Sequence, residues 1–330
     1  MPALEVENLK VRFETHHGTV QAVRDVSFTL EQGETLGIVG ESGSGKSVTS
    51  LAIMGLLPSP PAVVEANAIR LGDQNLLQLG KRQLRKLRGK QLAMIFQDPM
   101  TSLNPLLTVG LQLGEVLSQH EGLRGRKARQ RCAKALGEVG IPNPEARLDA
   151  YPHELSGGMR QRVMIAMGLL CNPDVLIADE PTTALDVTIQ AQILELMKDL
   201  QQRHGMAIIL ITHDLGVVAG MSDRIQVMYA GRVVEKADTV PLFQNPRHPY
   251  TRGLLQSVPR MGAAVSPRLD SIEGQPPDLS NLPVGCAFAE RCDLAGPDCL
   301  RERPPLVALE DPDRYSACVR HAELTAEVTQ

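Results

Sequence analysis

The 330-residue sequence has no tryptophan, and aromatic residues make up 3% of it. A core must therefore come from Leu, Ile, Val, Ala and Met, and the rows of aromatics on which single-stranded nucleic acids stack are absent. No apolar stretch approaches the ~20 residues that a membrane-spanning helix requires. The longest apolar runs, 163–171 and 206–211, have the lengths of a buried helix and a buried strand. Met1, Pro2, Ala3, Leu4 and Glu5 open the chain without a basic region followed by an apolar one, which predicts a protein kept in the cytosol. Such a chain would meet a membrane only through another chain. A net charge of -4 leaves no general excess of positive charge for nucleic acid. Two basic runs, 81–90 and 124–131, read instead as solvated helix faces. What is present, 43% hydrophobic and 22% charged residues, is ordinary for a globular protein long enough to bury a core without staples.

The first thirty residues alternate as strands do, through Leu4, Val6, Leu9, Val11 and Phe13, then Val20, Ala22, Val26, Phe28 and Leu30. A turn near Gly18 makes them an antiparallel meander. Residues 35–39 form a compact apolar strand, followed by a Gly/Ser loop and a helix over about 46–54. Residues 111–140 read as helical. The runs 175–178 and 207–211 have the pattern of strands buried on both faces of a parallel sheet, with an amphipathic helix over 189–203 between them. After about Pro246 the composition shifts toward Pro, Gly and Arg, including Pro249, Pro259, Pro267, Pro276, Pro277 and Pro283, which predicts a loosely structured extension.

Gly40, Glu41, Ser42, Gly43, Ser44, Gly45, Lys46 and Ser47, followed by Val48, fit the phosphate-loop pattern between a strand and a helix. Its glycines let backbone N–H groups curl around phosphate oxygens, and the helix N-terminus adds partial positive charge. Lys46 is expected to reach the β- and γ-phosphates, and Ser47 to ligate Mg²⁺. The strand over 175–178 ends on two carboxylates: Asp179, placed to hold Mg²⁺, and Glu180, free to polarise a water as general base. His213 follows the next strand and is expected near the γ-phosphate.

Ser156, Gly157 and Gly158 open another helix, over 159–171, and make a second anion-binding helix N-terminus without a phosphate loop of its own. With Leu155 and Met159 they resemble the signature of ABC ATPases. Gln97 after the strand 92–96 (Q-loop), Ala184, Leu185 and Asp186 (D-loop) and His213 (H-switch) stand in that family's order.

The resemblance implies an α/β fold, a P-loop NTPase of the ABC type, with a mixed sheet core, an antiparallel β subdomain and a helical subdomain at about 98–170. It spans about 1–245, with a cysteine-containing C-terminal extension over 246–330. It also implies that Gln97 contacts Mg²⁺, and that Ser156, Gly157 and Gly158 complete the site of a facing cassette. Phe13 stands where the family has an adenine-stacking aromatic, although it fits an ordinary strand position equally well. A P-loop kinase would leave 155–159 unexplained. A soluble ABC ATPase working on nucleic acid or ribosomes would bring tandem cassettes or a coiled-coil insertion, and neither is present.

The stretch 97–105, the segment 247–255 (Arg-His-Pro-Tyr-Thr-Arg-Gly-Leu-Leu) and the cysteine-bearing tail look like the dipeptide/oligopeptide importer branch. That branch implies an ATP- and Mg²⁺-dependent subunit peripheral to the cytoplasmic face of the membrane. Its partners would be a second ATPase subunit (an identical copy or a paralogue), two transmembrane permeases and a periplasmic or surface peptide-binding protein, without nucleic acid. Another solute, such as a nickel or metal chelate, is the alternative cargo.

Of six cysteines, Cys132 and Cys171 stand alone in apolar helical context and read as buried structural thiols. Cys286, Cys292, Cys299 and Cys318 crowd the tail, where clustering in a reducing compartment points to metal. Four thiolates suit a [4Fe–4S] cluster or zinc, but the spacing lacks the close pairs of zinc ribbons. It resembles the tail that holds a [4Fe–4S] cluster in related importer ATPases; zinc or unliganded thiols are the other readings. Arg291, Arg301 and Arg303 are expected to lower the electrostatic cost of the thiolates.

Overall fold

A computed structural model describes the chain except residues 17, 99–101, 184, 258–271, 312 and 325–330. Ala184 of the expected D-loop, the middle of the stretch 97–105, Pro259 and Pro267 thus lie outside the described residues. The chain forms two compact units: residues 1–4, 29–34 and 70–211, and residues 5–28, 35–69 and 212–330.

The first unit holds three parallel strands, Leu92–Ile95, Val175–Asp179 and Ala207–Thr212. Their register sets Ile95 opposite Ala178 and Asp179 opposite Ile211, so the ends of the strands finish together. The outer two strands of that order are joined through Val175–Asp179, all of whose residues are buried, as an apolar run in a parallel sheet requires. The expected helical stretch 111–140 is two helices, Val109–His120 and Gly125–Glu138, broken at Gly122, whose φ of +68° a side chain would strain. Val109, Leu113 and Leu117 recur every four residues on the first and are fully buried; Ala128, Cys132 and Leu136 recur likewise on the second and are buried. The two pack together, and the second also packs on Pro144–Arg147 and on Gly157–Leu169.

The helix Val187–His204 matches the amphipathic segment read from the sequence. Asp186 caps it by accepting from the Ile189 N–H at 3.0 Å, and Gly205 ends it in the left-handed conformation. Ile193, Met197 and Leu200 are its buried stripe.

In the second unit the long strands Leu4–Thr15 and Gly18–Leu30 are neighbours, and Ala62–Glu65 runs antiparallel to the first, with Phe13 opposite Ala62. Thr35–Val39 pairs in parallel with Arg224–Tyr229, which pairs antiparallel with Arg232–Asp238. The extension then contributes to this sheet: Tyr315–Ser316 pairs antiparallel with Arg232–Asp238, and Val307–Ala308 with Tyr315–Ser316. The described part of the extension is therefore packed where the sequence predicts looseness. Its segments are too short to show a period, and they are held by a shared core of Val227, Tyr229, Leu242, Tyr250 and Phe288. Phe288 stands edge-on to Tyr229 at 5.3 Å, an arrangement that suits ring quadrupoles. Few aromatics are available, and three of them meet here. Among the described residues no helix is long and apolar enough to cross a membrane.

Candidate nucleotide-binding site

The phosphate loop grows from the end of a fully buried strand, Thr35–Val39. At Gly40 a Cβ would run into the Met228 carbonyl oxygen, and at Gly45 it would come 2.5 Å from that of Ala22. Both glycines also have positive φ, +152° and +101°, so the turn closes only without side chains at these two places. Gly45 is the N-cap of the helix Lys46–Ile53. The loop is tied to its surroundings by the Gly231 N–H, which donates to the Ser44 carbonyl at 2.9 Å.

Lys46 is 5% exposed, an unusual place for an ammonium. Its Nζ donates to the Gly40 carbonyl at 2.7 Å and the Glu41 carbonyl at 2.9 Å, and reaches Ser44 Oγ at 3.5 Å. The charge is thus held over the loop by oxygens of the loop itself. Ser42 and Gly43 are exposed at its rim, while Ser47 and Val48 are half-buried. This glycine turn, with a buried cation and a helix N-terminus, suits a polyphosphate. His213 is exposed, next to Asp214, whose carboxylate caps Leu215–Met221 by accepting from the Gly216 N–H at 2.8 Å. Phe13 is half-buried, which suits either of its readings.

In the other unit, the common register of the parallel strands brings Gln97 and Glu180 together. Gln97 Nε2 donates to Glu180 Oε2 at 3.0 Å. Asp179 is buried at the end of its strand, and Glu180 follows with φ of +46°, a left-handed conformation rare for a residue with a side chain. The Glu180 N–H donates to the Ile211 carbonyl at 2.8 Å and holds that turn. Two residues that the sequence pattern does not single out support this group. Thr183 Oγ1 donates to Glu180 Oε2 at 2.8 Å, and the buried Gln161 donates through Nε2 to the Pro181 carbonyl at 2.5 Å. Gln161 links the helix of Ser156 to the carboxylate turn. A lone amide on an otherwise apolar helix face is its only sequence signal.

Ser156 is the N-cap of Gly157–Leu169, and its Oγ accepts from the Met159 N–H at 3.4 Å. Ser156 and Gly157 are exposed, while a Cβ on Gly158 would meet Ile189 Cγ2 at 2.9 Å, so this glycine answers to packing. Leu185 and Asp186 lead into the helix that Asp186 caps. Beyond the expected Q-loop, the buried Gln112 accepts from the Asn104 N–H at 2.9 Å and donates to the Leu107 carbonyl at 3.0 Å, pinning the loop after it.

The tail cysteines all line one small cavity, with His248, Phe288 and Arg320 also in its wall, and all are free thiols. Burial raises the thiol pKa of Cys286, of Cys292 to about 11 and of Cys318 to about 12, and the neighbouring cysteines add to the rise. Even so, among the described residues no three His, Cys, Asp or Glu side chains stand as they would around a metal ion. Two of the three expected arginines are placed elsewhere: Arg291 pairs with Glu41, and Arg301 is exposed beside Asp298. Arg303 shares a second small cavity with Cys286. Arg320 stands by the thiols, its backbone N–H donating to Cys318 Sγ at 3.4 Å. His321 turns Nδ1 to the Cys318 carbonyl at 2.9 Å. Of the two isolated cysteines, Cys132 is buried as expected and Cys171 only partly so.

Comparison with known proteins agrees with these features. Residues 23–183 match the family model described as ABC transporter, and residues 234–299 match that of the oligopeptide/dipeptide transporter C-terminal region. The oligopeptide transport ATP-binding protein OppD of Bacillus subtilis is 52% identical over 320 residues, which covers 97% of this chain and 89% of that protein. The dipeptide transport ATP-binding protein DppD of the same organism is 57% identical over 292 residues, covering 88% and 86%. Among solved structures, the dimeric post-hydrolysis state of the ATP-binding cassette MJ0796 bound to ADP and Pi superposes with a TM-score of 0.63 at 27% identity, over 72% of this chain and 98% of that one. A cassette fold with a phosphate loop, a paired-carboxylate strand end and a serine-capped second helix, followed by a tail of this kind, places the chain in the ABC transporter ATP-binding family, in its oligopeptide/dipeptide branch.

Proposed function

We propose that this chain is the ATP-hydrolysing subunit of an ABC importer of dipeptides or oligopeptides, bound at the cytoplasmic face of a membrane through two permease subunits. The peptide cargo is supported by the names of the relatives and by the matching tail. A surface or periplasmic peptide-binding protein and a second cassette complete the assembly in this reading.

The observation that carries the chemistry is the three-point seating of Glu180, by its backbone N–H and by Gln97 and Thr183. A carboxylate so fixed can accept a proton from an attacking water in one orientation. Residues 40–48 hold the phosphates by N–H groups and by the Lys46 ammonium. Asp179, Ser47 and Gln97 would hold Mg²⁺, which when bound offsets phosphate charge. His213 completes the hydrolytic end, and Phe13 lies against the base. The exposed Ser156 and Gly157, with Gly158 behind them, close on nucleotide carried by the facing cassette, a reading supported by the dimeric ADP- and Pi-bound relative. Binding then favours the closed pair, and hydrolysis releases it.

The cysteine cavity, by its donor set, is read as the seat of a [4Fe–4S] cluster held by Cys286, Cys292, Cys299 and Cys318, with zinc second. Its role would be structural, and no step of hydrolysis passes through it. Iron and sulfide analysis after anaerobic purification decides this; one zinc and no colour reverses the order.

The function is tested on the transporter assembled with its neighbouring permeases in vesicles. Uptake of labelled dipeptide should require ATP and stop in Glu180→Gln, while the assembly still retains nucleotide. Dipeptide uptake that continues in that variant removes Glu180 from the chemistry, and no uptake of any peptide by the intact assembly removes the cargo.

A further inference from the structure

The extension holds the phosphate loop at Glu41, by both the backbone and the side chain of that residue. Tyr250 is fully buried, its ring 4.6 Å from that of Tyr229 and 5.4 Å from that of Phe288. Its hydroxyl oxygen accepts from the Glu41 N–H at 2.7 Å. The ring is aimed there by the start of its own helix, Pro249–Gln256, where the buried His248 caps the turn by accepting the Tyr250 N–H at Nδ1, 3.1 Å away. The Glu41 carboxylate is gripped by Arg291, with Nη1 on Oε2 at 2.7 Å and Nη2 on Oε1 at 2.9 Å. This two-pronged pairing fixes orientation as well as distance.

Arg291 is itself anchored. Its side chain is 5% exposed, its Nε donates to the Glu273 carbonyl at 3.0 Å, and its guanidinium lies over the Tyr229 and Phe288 rings. It ends the short turn Ala289–Arg291, immediately before Cys292.

The third hold on Glu41 is its carbonyl oxygen, which accepts from Lys46 Nζ at 2.9 Å and from the Ser44 N–H at 3.2 Å. One residue thus connects two side chains of the tail, more than 200 positions downstream, to the ammonium expected to meet the phosphates. A loop held at its N–H, its carboxylate and its carbonyl loses little freedom when ligand arrives, and less ordering cost means tighter binding.

We infer that Tyr250 and Arg291 are positioning residues for the phosphate loop: through Glu41 they hold Lys46 in place, so that the C-terminal extension sets the affinity of the site for nucleotide. This rests on the reading of residues 40–47 as the nucleotide loop.

The test is made on the full-length chain, with MgADP and MgATP binding by calorimetry, and on the assembled transporter for KM and kcat. Losing a charge pair of this kind should weaken nucleotide binding by about 5- to 20-fold in Arg291→Met, and losing one hydrogen bond by about 3- to 10-fold in Tyr250→Phe. KM for ATP should rise in step while kcat at saturation stays within about twofold, and Arg291→Lys should recover part of the loss. Because Glu41 and Arg291 act as a pair, Glu41→Gln with Arg291→Met should bind no worse than Arg291→Met alone. If Arg291→Met does not fold, Tyr250→Phe, which alters one atom, decides the matter. Lys46→Ala separates the two levels. Lost binding in Lys46→Ala with wild-type affinity in folded Arg291→Met and Tyr250→Phe overturns the brace alone. Wild-type affinity in Lys46→Ala overturns the loop reading beneath it.

Discussion

Two helices in this chain open on glycine and serine, and they are built for different tasks. The helix Lys46–Ile53 has a left-handed glycine as its N-cap, no side-chain cap, and a buried lysine folded back over the loop that precedes it. The helix Gly157–Leu169 is capped by its own Ser156, has no buried cation at its start, and presents Ser156 and Gly157 to solvent. The first is shaped to wrap an anion and carries its own counter-charge. The second offers only backbone N–H groups and a helix dipole, too little to hold a polyphosphate alone but enough to add to one already held. The difference is the physical content of the proposed shared site.

The sharpest way to break this contrast is to damage each helix start separately. Lys46→Ala should abolish nucleotide binding by the single chain along with hydrolysis. Ser156→Arg, which puts bulk and charge on the exposed start, should leave single-chain binding within about twofold, because no phosphate of its own cassette is involved, yet reduce hydrolysis by the assembled transporter at least about 100-fold. Calorimetry and phosphate release measure the two. Equal losses of binding in both variants would mean that the helices serve one site within the same cassette.

A smaller effect is expected at the carboxylate turn. Thr183→Ala removes one of the donors that seat Glu180, worth about 1 kcal/mol, and should lower kcat about 3- to 10-fold without changing the affinity for nucleotide. A change in affinity instead would assign Thr183 to binding.

The smallest effect lies in pH dependence, and it should touch only the unit of the phosphate loop. Burial lowers His248 to about 3, so it stays neutral in the folded protein while the unfolded chain takes a proton below about 6.5. That contribution to stability is lost as pH falls below about 6.5, by up to about 2 kcal/mol at pH 5. Burial raises Glu235 to about 7, and its contribution is present at low pH and lost as pH rises through about 7. The two slopes oppose each other. Melting temperature from pH 5 to 6.5 should therefore rise with pH in Glu235→Gln, which removes the compensating group, and fall with pH in His248→Asn, where the Glu235 slope is left alone. An unchanged profile in both would take these groups out of the stability of the extension.

Much of the site is legible in the residues. The phosphate loop, the strand ending on Asp179 and Glu180 and the helix after Ser156 are local patterns, each fixed by the period of its own element and by glycines where side chains do not fit. The extension reads as loose because its elements are two to eight residues long, below the length at which a period appears. Its stability comes from rings contributed by distant segments, Tyr229, Tyr250 and Phe288, which no window of sequence contains. Arg291 shows the same limit. Its neighbour Cys292 suggests a partner among the thiols, while its actual partner lies 250 positions away.

By itself, the sequence determined which backbone turns can cradle an anion, which carboxylates end a buried strand and which family the chain resembles, since these follow from residue type at fixed spacing. Tertiary structure alone decided that Gln97 and Thr183 seat Glu180, and that Glu41 answers to Tyr250 and Arg291. Those pairings depend on strand register and on the packing of segments far apart in the chain, where the energy of contact is settled only after the chain has closed on itself.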